Sequence, residues 1–302
     1  MAFAQGSNSR IAYGIESTFG TAASTYTTLP INTSSLNMTK NLMTGNQLLP
    51  DRMPRTERHG TRQIAGDIVA DLCANDFDDL IRSAMLSDWS TNVIKVGTSP
   101  VFLTIEDYAS NIDQARLFTG CSVNSMAISL APDQMVTTTF GLVGKDMVIS
   151  ATEKTASAPS GNVPFDAYSG NLAIGNVGGS SSVAIVTAFD FNITNSFGPT
   201  NVIGENTTPS LEYGRAVVSG SFTAYFENDA LINRFINETA TEIEVSVDDP
   251  LGSNPYTFLF PQAKINSADV SLDGPMSRSI SVSFSALYNA AEGSNLVITR
   301  TS

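Results

Sequence analysis

Alternation of apolar and polar residues is the clearest pattern along this chain, and it occurs in short runs separated by polar segments. In the run IAGDIVADL, Ile68, Ala70 and Leu72 fall on one side, whereas Asp67 and Asp71 fall on the other. This period of two is typical of a strand with one buried face. The run SGSFTAYFE alternates in the same way, and further strand candidates are VFLTI, SMAISL, EIEVSV, YTFLF and SISVSFSALY.

Two short helices are predicted, one directly after each of the first two runs. An Asn-Asp pair suited to capping, at 75–76 and at 228–229, precedes an amphipathic segment in both places. The apolar positions of these helices are Phe77, Leu80, Ile81 and Ala84 in the first, and Leu231, Ile232, Phe235 and Ile236 in the second. The rest of the chain is rich in Ser, Thr, Asn, Gly and Val, which favours strands and loops. The sequence therefore predicts a mainly β protein with two short flanking α-helices.

One stretch of the chain occurs twice, as LFTGCSVNSMAISL at 117–130 and as LFPQAKINSADVSL at 259–272. Six of the fourteen paired positions are identical, and upstream matches follow the same order, including Gly66 with Gly220. The offset falls from 154 at these glycines to 142 in the repeated stretch, so the first copy has about a dozen extra residues between 86 and 116. The repeat predicts two copies of one β-rich unit.

The segment SATEKTASAPSGNVP lies between the copies and has no apolar periodicity, as is typical of a linker. A boundary near residue 155 gives domains of 1–155 and 156–302, although 302 residues also fit one large all-β domain. Residues 40–60 form a polar segment too long for an ordinary hairpin loop, with a counterpart at 195–213. Such a loop either contacts a neighbouring subunit or lacks order.

Charge and cysteine content narrow the function classes. Twenty-nine acidic and sixteen basic residues give a formal net charge of -13, which argues against gripping a nucleic-acid backbone. Cys73 and Cys121 lie far apart without metal-ligand spacing, so we expect reduced, buried thiols and folding in a cytoplasm. No apolar run approaches the length of a membrane span, and we expect neither a membrane anchor nor an export signal.

Catalytic constellations are scarce. His59 is the single histidine, and GLVGKD has neither the spacing of a phosphate-binding loop nor a hydroxyl residue after its lysine. The carboxylates of NDFDD, at residues 75–79, suit the start of a helix better than a cation site. We expect no enzymatic activity, no cofactor and no metal.

Several segments resemble the major tail tube protein of tailed bacteriophages, of the siphophage type. They are SRIAYGIESTFGT, LPINTSSLNMT, LLPDR, GDIVADL with the following helix, VVSGSFTAYFENDALINRFIN, LFPQAKINSADVSLDGP and SFSALYNAAEGSNLVITR. The resemblance implies two tandem tail-tube domains, each a β-barrel or β-sandwich with one flanking helix. It also implies a structural subunit whose rings stack into a hollow conduit that passes phage DNA into the host.

The resemblance further implies partners and location. A duplicated subunit is expected to form rings of three copies with pseudo-six-fold symmetry, rather than rings of six. Other tail proteins, namely the tape measure, the terminator and the baseplate, are expected partners, and DNA passes without specific binding. The protein is expected in the virion tail after synthesis in the host cytoplasm.

An acidic lumen suits such a conduit, because carboxylates repel phosphates and offer no donors to hold them. Strands with one acidic face supply the candidates, and alternation alone cannot distinguish the lumen from a solvated outer face. The lumen candidates are Asp67, Asp71, Glu242, Glu244, Asp248, Asp269 and Asp273.

The long loop supplies candidates for contacts between rings or subunits. Four arginines within eleven residues face a chain that is acidic elsewhere, so they are suited to pairing with carboxylates of a neighbouring ring. A solvated basic loop is the alternative. The contact candidates are Arg52, Arg55, Arg58 and Arg62, together with Leu48 and Leu49. The N-terminal segment, residues 1–10, is a further candidate.

Two other functions remain open from the sequence. A tail-terminator or hub protein of the same virion would share the fold but form a single ring. A tandem β-sandwich adhesin would bind a cell-surface ligand and would not polymerise. Hollow filaments seen by negative stain would separate a tube subunit from both.

Overall fold

A computed structural model describes residues 3–47, 50–182, 186–250, 254–272, 274–275 and 277–301. The helices are α1 (Asp78–Met85) and α2 (Ala230–Ile236), with a short 3-10 helix at Gly6–Asn8. The strands of residues 1–155, the first half, are β1 (Ser9–Ile15), β2 (Tyr26–Leu29), β3 (Thr33–Ser34), β4 (Asn37–Thr44), β5 (Glu57–Asp71), β6 (Val93–Lys95), β7 (Leu103–Ala109), β8 (Gln114–Leu130), β9 (Thr137–Gly144) and β10 (Asp146–Ser150). Those of residues 156–302, the second half, are β11 (Ala156–Ser157), β12 (Asp166–Asn176), β13 (Gly179–Ser182), β14 (Val186–Thr194), β15 (Gly198–Pro199), β16 (Leu211–Glu212), β17 (Val217–Tyr225), β18 (Thr241–Asp248), β19 (Tyr256–Val270), β20 (Ser279–Ala286) and β21 (Val297–Arg300). The predicted fold class, mainly β with two short helices, is confirmed.

Eight antiparallel strands form one continuous sheet, called here the central sheet. Its order is β4–β5–β9–β8–β14–β17–β20–β19. The sheet passes from the first half to the second between β8 and β14, where Leu130 lies opposite Phe189 and Ser125 lies opposite Thr194. The two halves therefore share a backbone hydrogen-bonded sheet.

Two side sheets extend from the long strands of the central sheet. The first part of β8 pairs with β7 and β10, and β7 continues through β1 to β2. The first part of β19 pairs with β18 and β21, and β18 continues through β12 to β13. Apolar faces of the central sheet, the side sheets and α1 meet in one hydrophobic core. Strand order is the same in the two halves.

Strand register also corresponds between the halves. In the β8–β9 pair the register shifts at Asn124, and in the β19–β20 pair it shifts at Asn266. These residues are the identical Asn of the repeated stretch, and each lies at a β-bulge where the long strand turns towards its side sheet.

The paired glycines, Gly66 and Gly220, lie where the next strand approaches closely. A Cβ atom on Gly66, whose φ is +153°, would lie 2.5 Å from the Cα of Leu36. A Cβ atom on Gly220 would lie 2.7 Å from the carbonyl oxygen of Asp190. Only glycine leaves room for the neighbouring backbone at these positions.

The segment after residue 155 packs on the first half. The strand β11 pairs in parallel with β2, and the buried Phe165 donates its backbone N–H to the carbonyl of Leu72. The carboxylate of Asp76 accepts hydrogen bonds from both the backbone N–H and the hydroxyl of Ser160. Asp76 thus binds the linker, and no side chain caps α1.

Several local predictions hold. Ile68, Ala70 and Leu72 are fully buried, and so are the α1 residues Leu80 and Ile81. Cys73 and Cys121 are free, buried thiols.

Two predictions were wrong in part. Residues 40–44 and 57–60 were predicted as loop but are strand, because β4 and β5 continue as a hairpin whose pairing satisfies their backbone groups. Of the predicted apolar face of α2, Leu231 and Ile232 are half-buried against the core, whereas Phe235 and Ile236 are exposed. No helix in the described part of the chain is long and apolar enough to cross a membrane.

Candidate assembly surfaces

The central sheet has one apolar face and one polar face. On β14, Phe189, Phe191 and Ile193 enter the core, so Asp190 and Asn192 lie on the opposite face. Because cross-strand partners share a face, this alternation extends across the sheet. The polar face forms a shallow depression of about 440 Å³ that is lined from β8, β9, β14, β17, β19 and β20.

Hydroxyl and carboxylate side chains dominate this polar face. One row of cross-strand neighbours runs over seven strands, and the hydroxyls of Ser267 and Ser283 lie 2.7 Å apart within it. The row is Asp71, Thr137, Ser129, Asp190, Ser221, Ser283 and Ser267. The five strands β9, β14, β17, β20 and the second part of β8 contain no Lys or Arg.

Three of the sequence-predicted acidic residues, Asp67, Asp71 and Asp269, lie on this polar face. Asp190 joins them and was missed from the sequence. The run FDFNIT alternates apolar and polar residues as clearly as IAGDIVADL and SGSFTAYFE. The same period of two therefore places Asp190 on the polar face of a strand. The polar face therefore carries four carboxylates from three strands, β5, β14 and β19.

The other acidic candidates lie elsewhere. Glu242, Glu244 and Asp248 are on β18, in the side sheet of the second half, on the face opposite the buried Ile243 and Val245. Glu242 accepts a hydrogen bond from the backbone N–H of Gly178. Asp273 lies outside the described residues.

The two edges of the central sheet are the second candidate surface. The second part of β8 is paired on both sides, with β9 and with β14. Its counterpart, the second part of β19, is paired only with β20 within the described residues. The counterpart of β14 is β4, which pairs only with β5 in the same part of the chain. Each edge thus presents unpaired backbone donors and acceptors.

Side-chain burial differs between the second part of β8, called here the joined edge, and the second part of β19, called here the free edge. At the joined edge, Met126, Ile128 and Leu130 are buried. The corresponding residues of β19 and its extension are Ala268 and Val270, which are half-buried, and Leu272, which is 72% exposed. The free edge therefore keeps apolar side chains at the positions that the joined edge buries.

A protein-family model described as "Phage tail tube protein" matches residues 6–286. The chain belongs to the phage tail tube protein family. No curated protein matches it significantly. A tail tube protein is a structural component of the virion tail, so the predicted location is confirmed.

The hairpin of β4 and β5 is the third surface of this tail tube protein. It is exposed along residues 40–47 and 50–59, and Leu42, Met43 and Met53 are exposed apolar side chains there. We call residues 40–62 the arm. The backbone N–H of Arg62 donates to the carbonyl of Asn206, so the base of the arm touches the loop of the second half.

The arm arginines are not equivalent in the tail tube protein. Arg62 binds both carboxylate oxygens of Asp146, at 2.9 and 3.2 Å, and Arg55 pairs with Asp51. Arg52 and Arg58 form no ion pair with any described residue. Leu48 and Leu49 lie outside the described residues.

The halves of the tail tube protein are also held together beside α1. Asp78 accepts a hydrogen bond from the hydroxyl of Tyr256 and pairs with Arg300, whose guanidinium stacks 4.3 Å from the ring centre of Trp89. Burial raises the pKa of Tyr256 to about 12, so its hydroxyl keeps its proton at neutral pH. Among the described residues, no group of three or more His, Cys, Asp and Glu side chains is arranged to hold a metal ion.

Proposed function

We propose that three copies of this tail tube protein close into a ring, and that stacked rings form the conduit for phage DNA. In the ring, the free edge of β19 in one copy pairs with the free edge of β4 in the next. The pairing of β8 with β14 inside each chain carries this proposal, because it is the same junction between corresponding strands. The first and second halves then act as two tube domains joined at residues 155–156.

The internal junction supplies a register for the junction between copies. Asn192 lies opposite Ala127 inside the chain. In the repeat, Asn37 corresponds to Asn192 and Asp269 corresponds to Ala127. The same register therefore puts Asn37 opposite Asp269 of the neighbouring copy. Met38 then lies opposite Ala268, and these half-buried side chains would be covered. Burial of apolar surface and completion of the backbone hydrogen bonds both favour this closure.

The size of the bore favours three copies. Eight strands per chain give 24 strands in a ring of three. At a strand spacing of about 4.8 Å, 24 strands make a circle about 37 Å across, and strand tilt widens it further. That bore already admits a DNA duplex, whereas six copies would make it roughly twice as wide.

The polar face of the central sheet is suited to the wall of this conduit. Its apolar face is occupied by the core, so the face with Asp67, Asp71, Asp190 and Asp269 is the one left for the lumen. Carboxylates repel the phosphates of DNA, and serine and threonine hydroxyls offer only neutral, weak contacts. DNA would pass without specific binding. Glu242, Glu244 and Asp248 would lie outside the lumen.

Stacking of rings is assigned to the arm. Arg52 and Arg58 are exposed cations without a described partner in a chain of net charge -13, so carboxylates of the next ring are their natural partners. The ends of the tube would meet the terminator, the tape measure and the baseplate. No catalytic step is part of this function.

Disulfide trapping tests both the ring and its stoichiometry. The double variant Asn37→Cys/Asp269→Cys should link each copy to the next under mild oxidation, because directly opposed residues of neighbouring strands meet the distance requirement of a disulfide. On a non-reducing gel, the ladder should end at the linked trimer, since a closed ring of three has no free partner. A ladder that ends at the linked hexamer would show that the ring contains six copies and not three.

Two control cysteine pairs test whether a disulfide reflects the proposed strand register and not a chance encounter between copies. Ala127→Cys/Asn192→Cys places the same pair at the internal junction, so it should form a disulfide without any dimer. Asn37→Cys/Ser271→Cys is displaced by two residues and should link poorly. If Asn37→Cys/Asp269→Cys forms no linked species while the internal pair does, the proposed ring closure is wrong. Negative stain of the unmodified protein distinguishes long tubes from the single rings of a terminator and from the monomers or trimers of an adhesin.

A further inference from the structure

The corresponding strands β10 and β21 differ sharply in burial. Their sequences are similar, with Met147-Val148-Ile149-Ser150 in β10 and Leu296-Val297-Ile298-Thr299 at the start of β21, where Leu296 directly precedes the strand. Their registers agree as well, because Val148 lies opposite Leu117 and Val297 lies opposite the paired Leu259. Val148 and Ile149 are 55% and 67% exposed, whereas Val297 and Ile298 are buried.

A segment of the first half covers β21. Residues 86–102, called here the strap, connect α1 to β7 and include β6, which pairs with the outer edge of β21. Lys95 of the strap contacts Glu292, and the backbone N–H of Arg300 donates to the carbonyl of Asn92. The strap corresponds to the extra residues of the first copy, and it seals the junction between the two halves.

The second half has no strap. Only residues 237–240 connect α2 to β18, too few to supply another strand. The outer edge of β10 is accordingly not paired with any described strand. An exposed edge strand that keeps two β-branched apolar residues is an unstable surface unless another element covers it.

The two helices show the same contrast. Five residues of α1 are buried, and its Asp78 binds Tyr256 and Arg300 of the second half. No residue of α2 is buried, Phe235 is exposed, and Ile236 is 66% exposed. Thus α1 lies against the second half of its own chain, while no described residue covers Phe235 and Ile236 of α2.

The flank of the chain that carries β10 faces the proposed junction between copies. The register in which Ser122 lies opposite Val143 of β9 continues to Thr119 opposite Asp146 of β10, so β10 lies on the same side of β8 as β5 and β4. Arg62 of β5 binds Asp146 of β10 on this flank. In the proposed ring, that flank meets the second half of the preceding copy, which carries α2.

We propose that α2 of one copy packs on β10 of the next copy, with Phe235 and Ile236 covering Ile149. This inference rests on the proposed ring. It adds an outer contact to each junction between copies, where a helix face takes the place of the strap. The ring then has two kinds of junction, sealed by the strap inside chains and by α2 between chains.

Crosslinking between copies tests this contact. One preparation carries Ile149→Cys and another carries Ile236→Cys, and the native Cys73 and Cys121 are buried. Mixed rings treated with a short bismaleimide should give a covalent dimer of twice the monomer mass, and neither preparation alone should do so. Ile149→Cys should also react with a thiol reagent much more slowly in rings than in monomers.

A second pair of variants measures the contribution to assembly. Phe235→Ser/Ile236→Ser should raise the concentration needed for ring formation by roughly tenfold, which corresponds to about 1.4 kcal/mol. Val163→Ser, an exposed apolar residue of the linker, should leave that concentration unchanged.

The outcomes separate this inference from the ring itself. If the Asn37/Asp269 disulfide forms but the bismaleimide gives no dimer and Ile149→Cys stays reactive in rings, the α2 contact is wrong and the ring stands. If neither link forms, the ring proposal fails and the α2 contact fails with it.

Discussion

Tyr256 donates its hydroxyl hydrogen to Oδ1 of Asp78 over 2.6 Å, and so ties β19 of the second half to the first turn of α1. The same hydroxyl accepts a hydrogen bond from the backbone N–H of Asn75 at 3.1 Å. One buried side chain therefore satisfies two polar groups of the other half. The junction between the halves is polar and specific at this point, besides being a continuous sheet.

Tyr256→Phe should lower the free energy of unfolding by about 2 kcal/mol, because it leaves the Asn75 N–H without a partner and removes a bond to a charged group. Chemical denaturation measures this loss. The difference from the unmodified protein should stay constant between about pH 6 and 9, since the raised pKa of Tyr256 keeps the hydroxyl protonated there. Tyr288→Phe, at an exposed site, should change stability by less than about 0.5 kcal/mol.

Gly66→Ala should destabilise the protein by more than about 2 kcal/mol, because the new Cβ would overlap the backbone of Leu36 at a positive φ. Thermal unfolding is the measurement. Gly6→Ala is the matched control, since no heavy atom lies within 4 Å of its Cβ position. Equal stability of the two variants would contradict the close approach of Leu36, directly before β4, to Gly66 of β5.

Asp190→Lys should leave tubes intact but slow DNA ejection, because a lysine on the polar face would bind passing phosphates. The slowing should weaken as salt is raised, since salt screens the attraction. Tube length is measured by negative stain and ejection by release of DNA from triggered virions. Glu244→Lys, on the side sheet, should eject at the normal rate, and a slow Glu244→Lys with a normal Asp190→Lys would reverse the assignment of the lumen.

Arg52→Glu/Arg58→Glu should leave rings but give fewer and shorter tubes, because the introduced carboxylates would repel the acidic neighbouring ring. Sedimentation separates rings from tubes. Arg62→Gln is the contrasting variant, since Arg62 already binds Asp146 and its loss should cost about 1 kcal/mol of stability without affecting stacking. Long tubes from the double variant would rule out the arm as the stacking element.

The buried face of a strand or helix was predictable from the sequence wherever the residues of that element alone determine it. Ile68, Ala70 and Leu72 are buried as their alternation indicates, because a strand with one apolar face has a single favourable orientation. The same rule applies to Asp190, which lies in an alternating run and was overlooked. The sequence predicts a loop at residues 40–60 because this segment lacks a regular period of two, whereas the cross-strand hydrogen bonds between β4 and β5 make it a hairpin.

The chain by itself determined the mainly β class, the doubled stretch and the positions of both helices, since each depends on residues close together along the chain. Tertiary structure alone decided which acidic strands share a face and which edges stay unpaired. Asp71 and Asp190 are far apart in sequence, and only the pairing of β5, β9, β8 and β14 aligns them in one row. Likewise, Ile149 and Ile298 have similar local sequences, and their different burial follows from β6, a distant strand that covers only one of them.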